Sequence, residues 1–105
     1  VHLKYRGQPI DPSWIPILAR FPKLIMLGFS STDIDNATLA ALAKQMPRVE
    51  NIDLENCKNV TDQGLLSVRK IKRLFWTKVS GTSVTAQGVQ DFKDHLPNPT
   101  TTIDY

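Results

Sequence analysis

Two acidic residues, Asp53 and Glu55, have the type and spacing that acid–base catalysis uses. If both stand on one face of a β-strand, about 6.8 Å separates their positions. At that distance one carboxyl group could act as the acid and the other as the base. Strands of parallel sheets routinely carry such polar side chains with no catalytic role, and activity does not follow from a fold alone. We therefore expect no enzymatic activity from this pair.

The other residues with reactive side chains are isolated. His2 and His95 lie at opposite ends of the chain, without a Cys, Asp or Glu at metal-ligand spacing. Ser30 and Ser31 lack the glycines of a nucleophile elbow. No glycine-rich phosphate loop occurs. The sequence therefore predicts no metal site, no cofactor and no small-molecule substrate.

A regular period of about 25 residues, within the range of known repeat proteins, organises the chain. Pro22 and Pro47 are one period apart and Pro97 follows two periods later, with Lys72 at the missing position. Three positions that follow carry matching residues in successive periods, all of them apolar except Thr77: Leu24, Val49 and Leu74; Leu27, Ile52 and Thr77; Phe29, Leu54 and Val79. A small residue then recurs at a fourth position: Thr32, Cys57 and Thr82. Self-similarity of this kind predicts stacked supersecondary units, and such solenoids mostly bind other macromolecules.

Within a unit the pattern predicts a strand followed by a helix. Ile52 and Leu54 alternate with acidic residues, which is typical of a half-buried strand. Leu39, Leu42 and Met46 then share one helical face that ends before a proline. We expect strands near 2–5, 26–30, 51–55 and 76–80, and helices near 13–21, 36–46, 62–70 and 86–96.

The sequence also indicates which residues cap the helices and which close the two ends of the core. Thr61 and Thr85 have the type and position of helix N-caps. Either Asp11-Pro12 or Ser13 opens the first helix, and Ser13 is favoured as its N-cap because Pro16 then falls in the first turn. Residues at the two ends of the chain should close the core: Trp14, Ile15 and Phe21 at one end, and Thr102, Ile103 and Tyr105, which could form a final strand, at the other.

The unit from Val49 to Leu65 resembles the leucine-rich repeat in its cysteine-containing variant, with an apolar pattern, Cys57, and a Val-Thr-Asp-x-Gly-Leu entry into a helix. The unit from Leu74 to Val89 is similar to the short bacterial version, although Thr77 stands where Leu or Ile is usual. The resemblance implies an α/β solenoid of about four 25-residue β-α units with a parallel sheet on the concave face. It divides the single domain 1–105 into a capping unit 1–22, repeats 23–47, 48–72 and 73–97, and a cap 98–105.

Cys57 is the lone cysteine, so the chain has no internal disulfide. A single reduced cysteine fits an intracellular, reducing compartment. Its position in the repeat predicts burial against Thr32 and Thr82, where a thiol acts as a small hydrophobe. We therefore expect an inert structural residue.

The exposed face of the predicted sheet is the expected partner-binding surface. Trp76 should point outward, because Thr77 and Val79 occupy the buried positions of the same strand. An exposed tryptophan on a rigid sheet is a recurrent binding anchor. The alternatives are a slipped register or a C-terminal cap that covers the indole. The residues predicted to bind the partner are Trp76, Lys78, Asp53, Glu55, Asn51, Met26 and Lys4.

The basic run Arg69, Lys70, Lys72 and Arg73 contributes most of the net charge of +3. Cations at a helix C-terminus are favourable by themselves, so a solvated helix end is the first interpretation. Contact with a protein or with anionic lipid is the second, as a peripheral contact only, since no stretch approaches the ~20 apolar residues of a membrane span. No nucleic-acid motif accompanies the run, which disfavours a nucleic-acid partner.

Three function classes remain. The first is a non-catalytic protein–protein interaction module that binds its partner through the concave sheet face. The second is an accessory or assembly subunit of a large membrane-associated energy-transducing complex. The stretch from Asn59 through Pro97 is similar to the C-terminal repeats of mitochondrial ATP synthase coupling factor B and its relatives, which implies a mitochondrial location. The third is the substrate-recognition part of a ubiquitin ligase, which the cysteine-containing repeat suggests.

Overall fold

The computed structural model describes residues 2–4, 11–21, 23–96 and 100–105, with the backbone alone described for 2–4 and Pro12. Short strands alternate with helices along the chain. The strands are β1 (His2–Lys4), β2 (Met26–Gly28), β3 (Asn51–Asp53), β4 (Trp76–Lys78) and β5 (Thr102–Asp104). The helices are α1 (Ile15–Leu18), α2 (Asn36–Gln45), α3 (Asp62–Val68) and α4 (Ala86–Asp94), and a 3₁₀ turn at Pro12–Trp14 precedes α1.

The strands form one parallel sheet in the order β1-β2-β3-β4-β5. Met26 pairs with Asn51, and Asn51 pairs with Trp76, so each residue pairs with its equivalent in the next unit. The predicted α/β class, the four parallel strands and the four helices are confirmed. β2, β3 and β4 each end two residues earlier than predicted, and position 5 of the first predicted strand lies outside the described residues. β5 completes the sheet around Ile103.

The core lies between the sheet and the helices. Leu27 and Ile52 of the sheet are fully buried, and so are Leu39 of α2 and Val68 of α3. At the N-terminal end Ile15 is buried, as predicted. Phe21 was expected to seal the same end, but 57% of its surface is exposed because it lies in the loop after α1. That part of the prediction is wrong.

Thr77 shows why the sheet register does not slip. The side chain is completely buried, and its hydroxyl donates a hydrogen bond of 3.0 Å to the carbonyl oxygen of Ile52 on the neighbouring strand. The hydrogen bond removes most of the cost of burying a hydroxyl group. A threonine therefore serves as a core residue here, and the alternative in which Trp76 moves into the core is wrong.

Left-handed backbone recurs in three successive units, at the turns that follow β2, β3 and β4. Ser31, Asn56 and Gly81 have φ angles of 60°, 61° and 73° and occupy equivalent positions of successive units. Glycine adopts this conformation without the penalty that a Cβ atom imposes. The same backbone turn thus leads three successive strands toward their helices, which aligns the units.

The helix N-termini are capped as the sequence predicts in two of three cases. The hydroxyls of Thr61 and Thr85 accept backbone N–H groups of α3 and α4. The expected cap Ser13 is wrong, because a 3₁₀ turn comes before α1 and the Asp11 carboxylate accepts the Ser13 N–H at 3.0 Å. Pro16 nevertheless occupies the first turn of α1, where a missing N–H costs nothing.

Polar side chains also join one helix start to the next. The amide of Asn36, the first residue of α2, donates to the Thr61 hydroxyl at 2.8 Å and accepts the Thr61 N–H at 3.1 Å. Gly64 lies one unit further along, and a Cβ there would come within 2.6 Å of the Asn36 oxygen. The Thr-Asp-x-Gly sequence is therefore explained by packing: the threonine is bonded to the preceding unit, and the glycine leaves room for the bonding side chain.

Candidate functional site

The polar face of the sheet is defined here as Met26, Asn51, Asp53, Glu55, Trp76 and Lys78. All six side chains are half-buried, whereas the alternate residues of the same strands are buried. Strand pairing places Met26, Asn51 and Trp76 in one row and aligns Asp53 with Lys78 in a second row. The structure thus brings these six predicted residues together: Met26, Asn51, Asp53, Trp76 and Lys78 lie on β2, β3 and β4, and Glu55 lies two residues beyond β3.

Lys4, the seventh residue predicted for this surface, pairs through its backbone with Gly28 in the second row. Its side chain lies outside the described part of the chain. The same row continues across the sheet through Asp53 and Lys78 to Asp104 of β5. Charged positions therefore follow one line across adjacent strands.

An ion pair lies at the centre of the polar face. The Lys78 ammonium contacts the Glu55 carboxylate, which also accepts a hydrogen bond of 3.4 Å from the Ser80 hydroxyl. The backbone N–H of Glu55 donates to the Asp53 carboxylate at 3.0 Å. These bonds link β3 and β4, so the charged groups are pre-positioned before any partner arrives.

The charge on Lys78 is stabilised by its surroundings. The hydrogen bond to Glu55 raises the pKa of the Lys78 ammonium, and the negative charges of Glu55, Asp104 and Asp53 raise it further. A lysine with a raised pKa stays protonated at neutral pH. Lys78 is therefore a fixed cation beside the carboxylates of Glu55, Asp104 and Asp53.

Trp76 is the largest side chain of the polar face. It stands between Asn51 on β3 and Thr102 on β5, and it is half-buried. The final strand β5 runs beside the indole, yet the side chain keeps an exposed part. Tryptophan in this setting offers a large apolar area at little cost in conformational entropy, which is what interface anchors need.

Both carboxylates of the acidic pair already have bonding partners. Asp53 accepts a backbone hydrogen bond from Glu55, and Glu55 is engaged by Lys78 and Ser80. Among the residues that the structure describes, no three His, Cys, Asp or Glu side chains gather where a metal ion could bind. The chemistry that this arrangement supports is recognition by hydrogen bonds, charge and one aromatic surface.

Cys57 is fully buried, as its position in the repeat predicts. Its thiol donates to the carbonyl oxygen of Phe29 at 2.9 Å and lies 3.7 Å from the Thr32 hydroxyl. Burial raises the pKa of the thiol, which disfavours the reactive thiolate. Thr82, the other predicted neighbour, directs its hydroxyl to the carbonyl of Val79 at 2.6 Å.

The basic run lies away from the polar face. Arg69 is the C-cap of α3, and Lys70, Lys72 and Arg73 are exposed in the loop before β4. Sequence reasoning treated this run alone and missed that cations recur at its positions in other units. Lys23, Arg48 and Arg73 occupy equivalent positions of three units. Lys44 and Arg69 likewise occupy equivalent positions of two units. Applying the period to charged residues would have revealed this.

Comparison with known proteins adds no assignment: the sequence matches no protein-family model, and no curated protein matches it significantly. The described part of the chain contains no helix whose length and apolar character would allow it to cross a membrane.

Proposed function

We propose that the protein is a non-catalytic protein–protein interaction module that binds its partner through the polar face. The observation that carries the proposal is the alignment of Asn51 and Asp53 with Trp76 and Lys78 on adjacent strands. Side chains that a sheet holds in register lose little freedom on binding, so more of the contact energy remains as affinity.

The unit architecture supports the same proposal. Parallel strands that pair with an offset of one repeat period are an expected feature of a leucine-rich repeat solenoid. The left-handed turn residues of three units recur with the same period. In such a stack each unit contacts only its neighbours, which creates an extended binding surface. We propose that the sheet forms the concave side of this solenoid.

The chemistry of the polar face suggests the kind of partner segment. Trp76 and Met26 provide apolar surface in one row. The carboxylates of Glu55, Asp104 and Asp53 act on the Lys78 ammonium group. A segment with an apolar anchor beside a basic residue is complementary to this pattern. Charge matching of this kind selects among partners more than it raises affinity.

Site-specific photo-crosslinking tests the proposal. A photoreactive amino acid replaces Met26 on the polar face, and in a matched protein it replaces Gln87 on the exposed surface of α4. After irradiation in cells that express the protein, mass spectrometry identifies the crosslinked chains. We expect one protein to be captured at position 26 and absent at position 87. Equal capture at both positions, or none at position 26, would contradict the proposal.

The same experiment addresses the accessory-subunit alternative. Recovery of the captured protein in a stoichiometric, large complex would favour a permanently assembled subunit similar to coupling factor B. Recovery as a simple pair would favour an exchangeable interaction module. A ubiquitin-ligase role requires ligase subunits among the captured chains.

A further inference from the structure

Basic residues collect along one edge of the molecule. All five strands are parallel and helices lie between them, so the helix-to-strand loops share one edge of the sheet. We define the basic edge as segments 19–23, 44–50, 69–75 and 93–96. These segments carry two carboxylates, Glu50 and Asp94, against nine cations: Arg20, Lys23, Lys44, Arg48, Arg69, Lys70, Lys72, Arg73 and Lys93.

The opposite edge has the reverse charge in the three strand-to-helix segments that the structure describes throughout. The strand-to-helix segments 30–35, 55–62 and 80–85 contain a single cation, Lys58, and four carboxylates, those of Asp33, Asp35, Glu55 and Asp62. Acids near helix N-termini and cations near C-termini each interact favourably with the helix dipole. That effect accounts for one or two charges per helix end, whereas the loop before β4 alone carries four cations within five residues.

The cations on the basic edge form rows. Lys23, Arg48 and Arg73 recur at the same position of successive units, so like charges stack in the direction in which the strands pair. Neighbouring like charges repel each other. Among the described residues, Arg48, Lys72 and Arg73 form no ion pair with a carboxylate. An extended anionic surface would remove this repulsion.

Exposed apolar side chains lie on the same edge. Phe21 and Phe75 are 57% and 56% exposed, each within two residues of a cation. Ile17, one helical turn before Phe21, is 54% exposed. Beside Phe21 there is a groove of about 360 Å³ with Met46 and Pro47 in its lining, next to Arg20 and Arg48. Phenylalanine has no polar group to satisfy water, so its exposure beside cations requires an explanation.

We propose that the basic edge docks the protein on the surface of an anionic phospholipid bilayer. Lysine and arginine side chains meet the lipid phosphates, while Phe21 and Phe75 enter the headgroup region. A bilayer accepts charges that are spread over several loops. A nucleic-acid strand would instead require a continuous basic groove with aromatic rings arranged for base stacking.

Co-sedimentation with vesicles tests the proposal through two variants of equal net charge. Lys72→Glu places the change on the basic edge, and Lys58→Glu places it on the opposite edge. With phosphatidylcholine vesicles that contain phosphatidylserine, Lys72→Glu should lower partitioning about 25-fold, because each charge unit near the membrane contributes roughly fivefold. Lys58→Glu should change partitioning less than about twofold, because screening limits distant charges.

A third variant distinguishes binding to a membrane from binding to other polyanions. Phe75→Ser should weaken vesicle binding about tenfold, since burying a phenylalanine is worth at least that factor, and should leave the salt dependence unchanged. Thermal unfolding checks that each variant is folded. Equal effects of Lys72→Glu and Lys58→Glu would overturn the proposal. So would absence of binding to phosphatidylserine vesicles, including the case in which a single-stranded DNA oligonucleotide binds instead.

This inference stands apart from the proposed function, because Trp76 lies on the sheet and not on the basic edge. Trp76→Ala should leave vesicle binding unchanged, so failure of either proposal would leave the other intact.

Discussion

The carboxylate of Asp62, the first residue of α3, binds the residue that caps the next helix. It accepts the backbone N–H of Thr85 at 2.8 Å and the Thr85 hydroxyl at 2.6 Å. Thr85 in turn accepts the N–H of Gly88 at 3.1 Å. The start of α4 is therefore fixed by a side chain of the preceding unit, as Asn36 fixes the start of α3.

Removing this carboxylate should loosen the contact between α3 and α4. We expect Asp62→Ala to lower the free energy of unfolding by about 1.5–3 kcal/mol, the range for hydrogen bonds to a charged group. Asp91→Ala is the matched control, because the described hydrogen bond of the Asp91 carboxylate is an exposed one from Gln87 within the same helix. This substitution should cost no more than about 0.5 kcal/mol. Urea unfolding measures both, and equal losses would contradict the account.

Gly88 should respond in opposite ways in two backgrounds. A Cβ at Gly88 would overlap the Asp62 carboxylate, so Gly88→Ala should destabilise the wild-type protein by displacing that group. In the Asp62→Ala background the obstacle is gone, and the higher helix propensity of alanine should stabilise the protein by about 0.5–1 kcal/mol. A double-mutant cycle from urea unfolding gives the sign. Additive effects would exclude this role of Asp62.

Cys57 should resist both substitution and modification. Cys57→Ser should cost about 1–3 kcal/mol, because serine brings a more polar group into a fully buried position. A bulky thiol reagent should label Cys57 of the native protein no faster than local or global unfolding exposes the thiol. Rapid labelling under native conditions would show that the thiol is accessible and would contradict the structure.

The Cys57 thiol also predicts a dependence of stability on alkaline pH. Burial raises its folded-state pKa above the ordinary value of 9.0, so only the unfolded chain ionises near pH 9. The contribution of the protonated Cys57 thiol to the free energy of unfolding is complete below pH 9. It is lost as pH rises, by no more than about 1.4 kcal/mol per pH unit. The stability difference between wild type and Cys57→Ala should therefore shrink between neutral pH and pH 10 or above. If the stability difference between the two proteins stayed constant over this pH range, the raised pKa of Cys57 would be refuted.

Asp35 predicts the opposite dependence at acid pH. Its carboxylate caps α2 by accepting the Thr38 N–H at 2.9 Å, and this bond lowers its pKa from 3.8. The cap stabilises the fold fully above the unfolded-state value and weakens as pH falls through the folded-state value. Asp35→Ala should cost about 1 kcal/mol at pH 7 and less at pH 3. A loss that is the same at both pH values would contradict a charged cap.

The repeat period was sufficient to predict the strand order, the helix positions and the caps Thr61 and Thr85, because periodic packing repeats local rules. It could not predict the bonding of Asp62 to Thr85, since that contact is made between units. Thr77 looked like a weak core residue because its partner, the Ile52 carbonyl, is visible only in the folded sheet. The basic edge was missed because charges were considered as one run and were not aligned by unit.

The central claim is that the polar face binds a protein partner and that Trp76 anchors it. The direct measurement is the affinity of the crosslinked partner for Trp76→Ala, with Phe75→Ala as control, since Phe75 is exposed but lies outside the polar face. We predict that Trp76→Ala weakens binding by about 2 kcal/mol or more, while its free energy of unfolding changes by less than about 1 kcal/mol. Phe75→Ala should bind normally. An unchanged affinity for Trp76→Ala, or a loss of roughly 3–5 kcal/mol in its stability as for a core aromatic residue, would contradict the account.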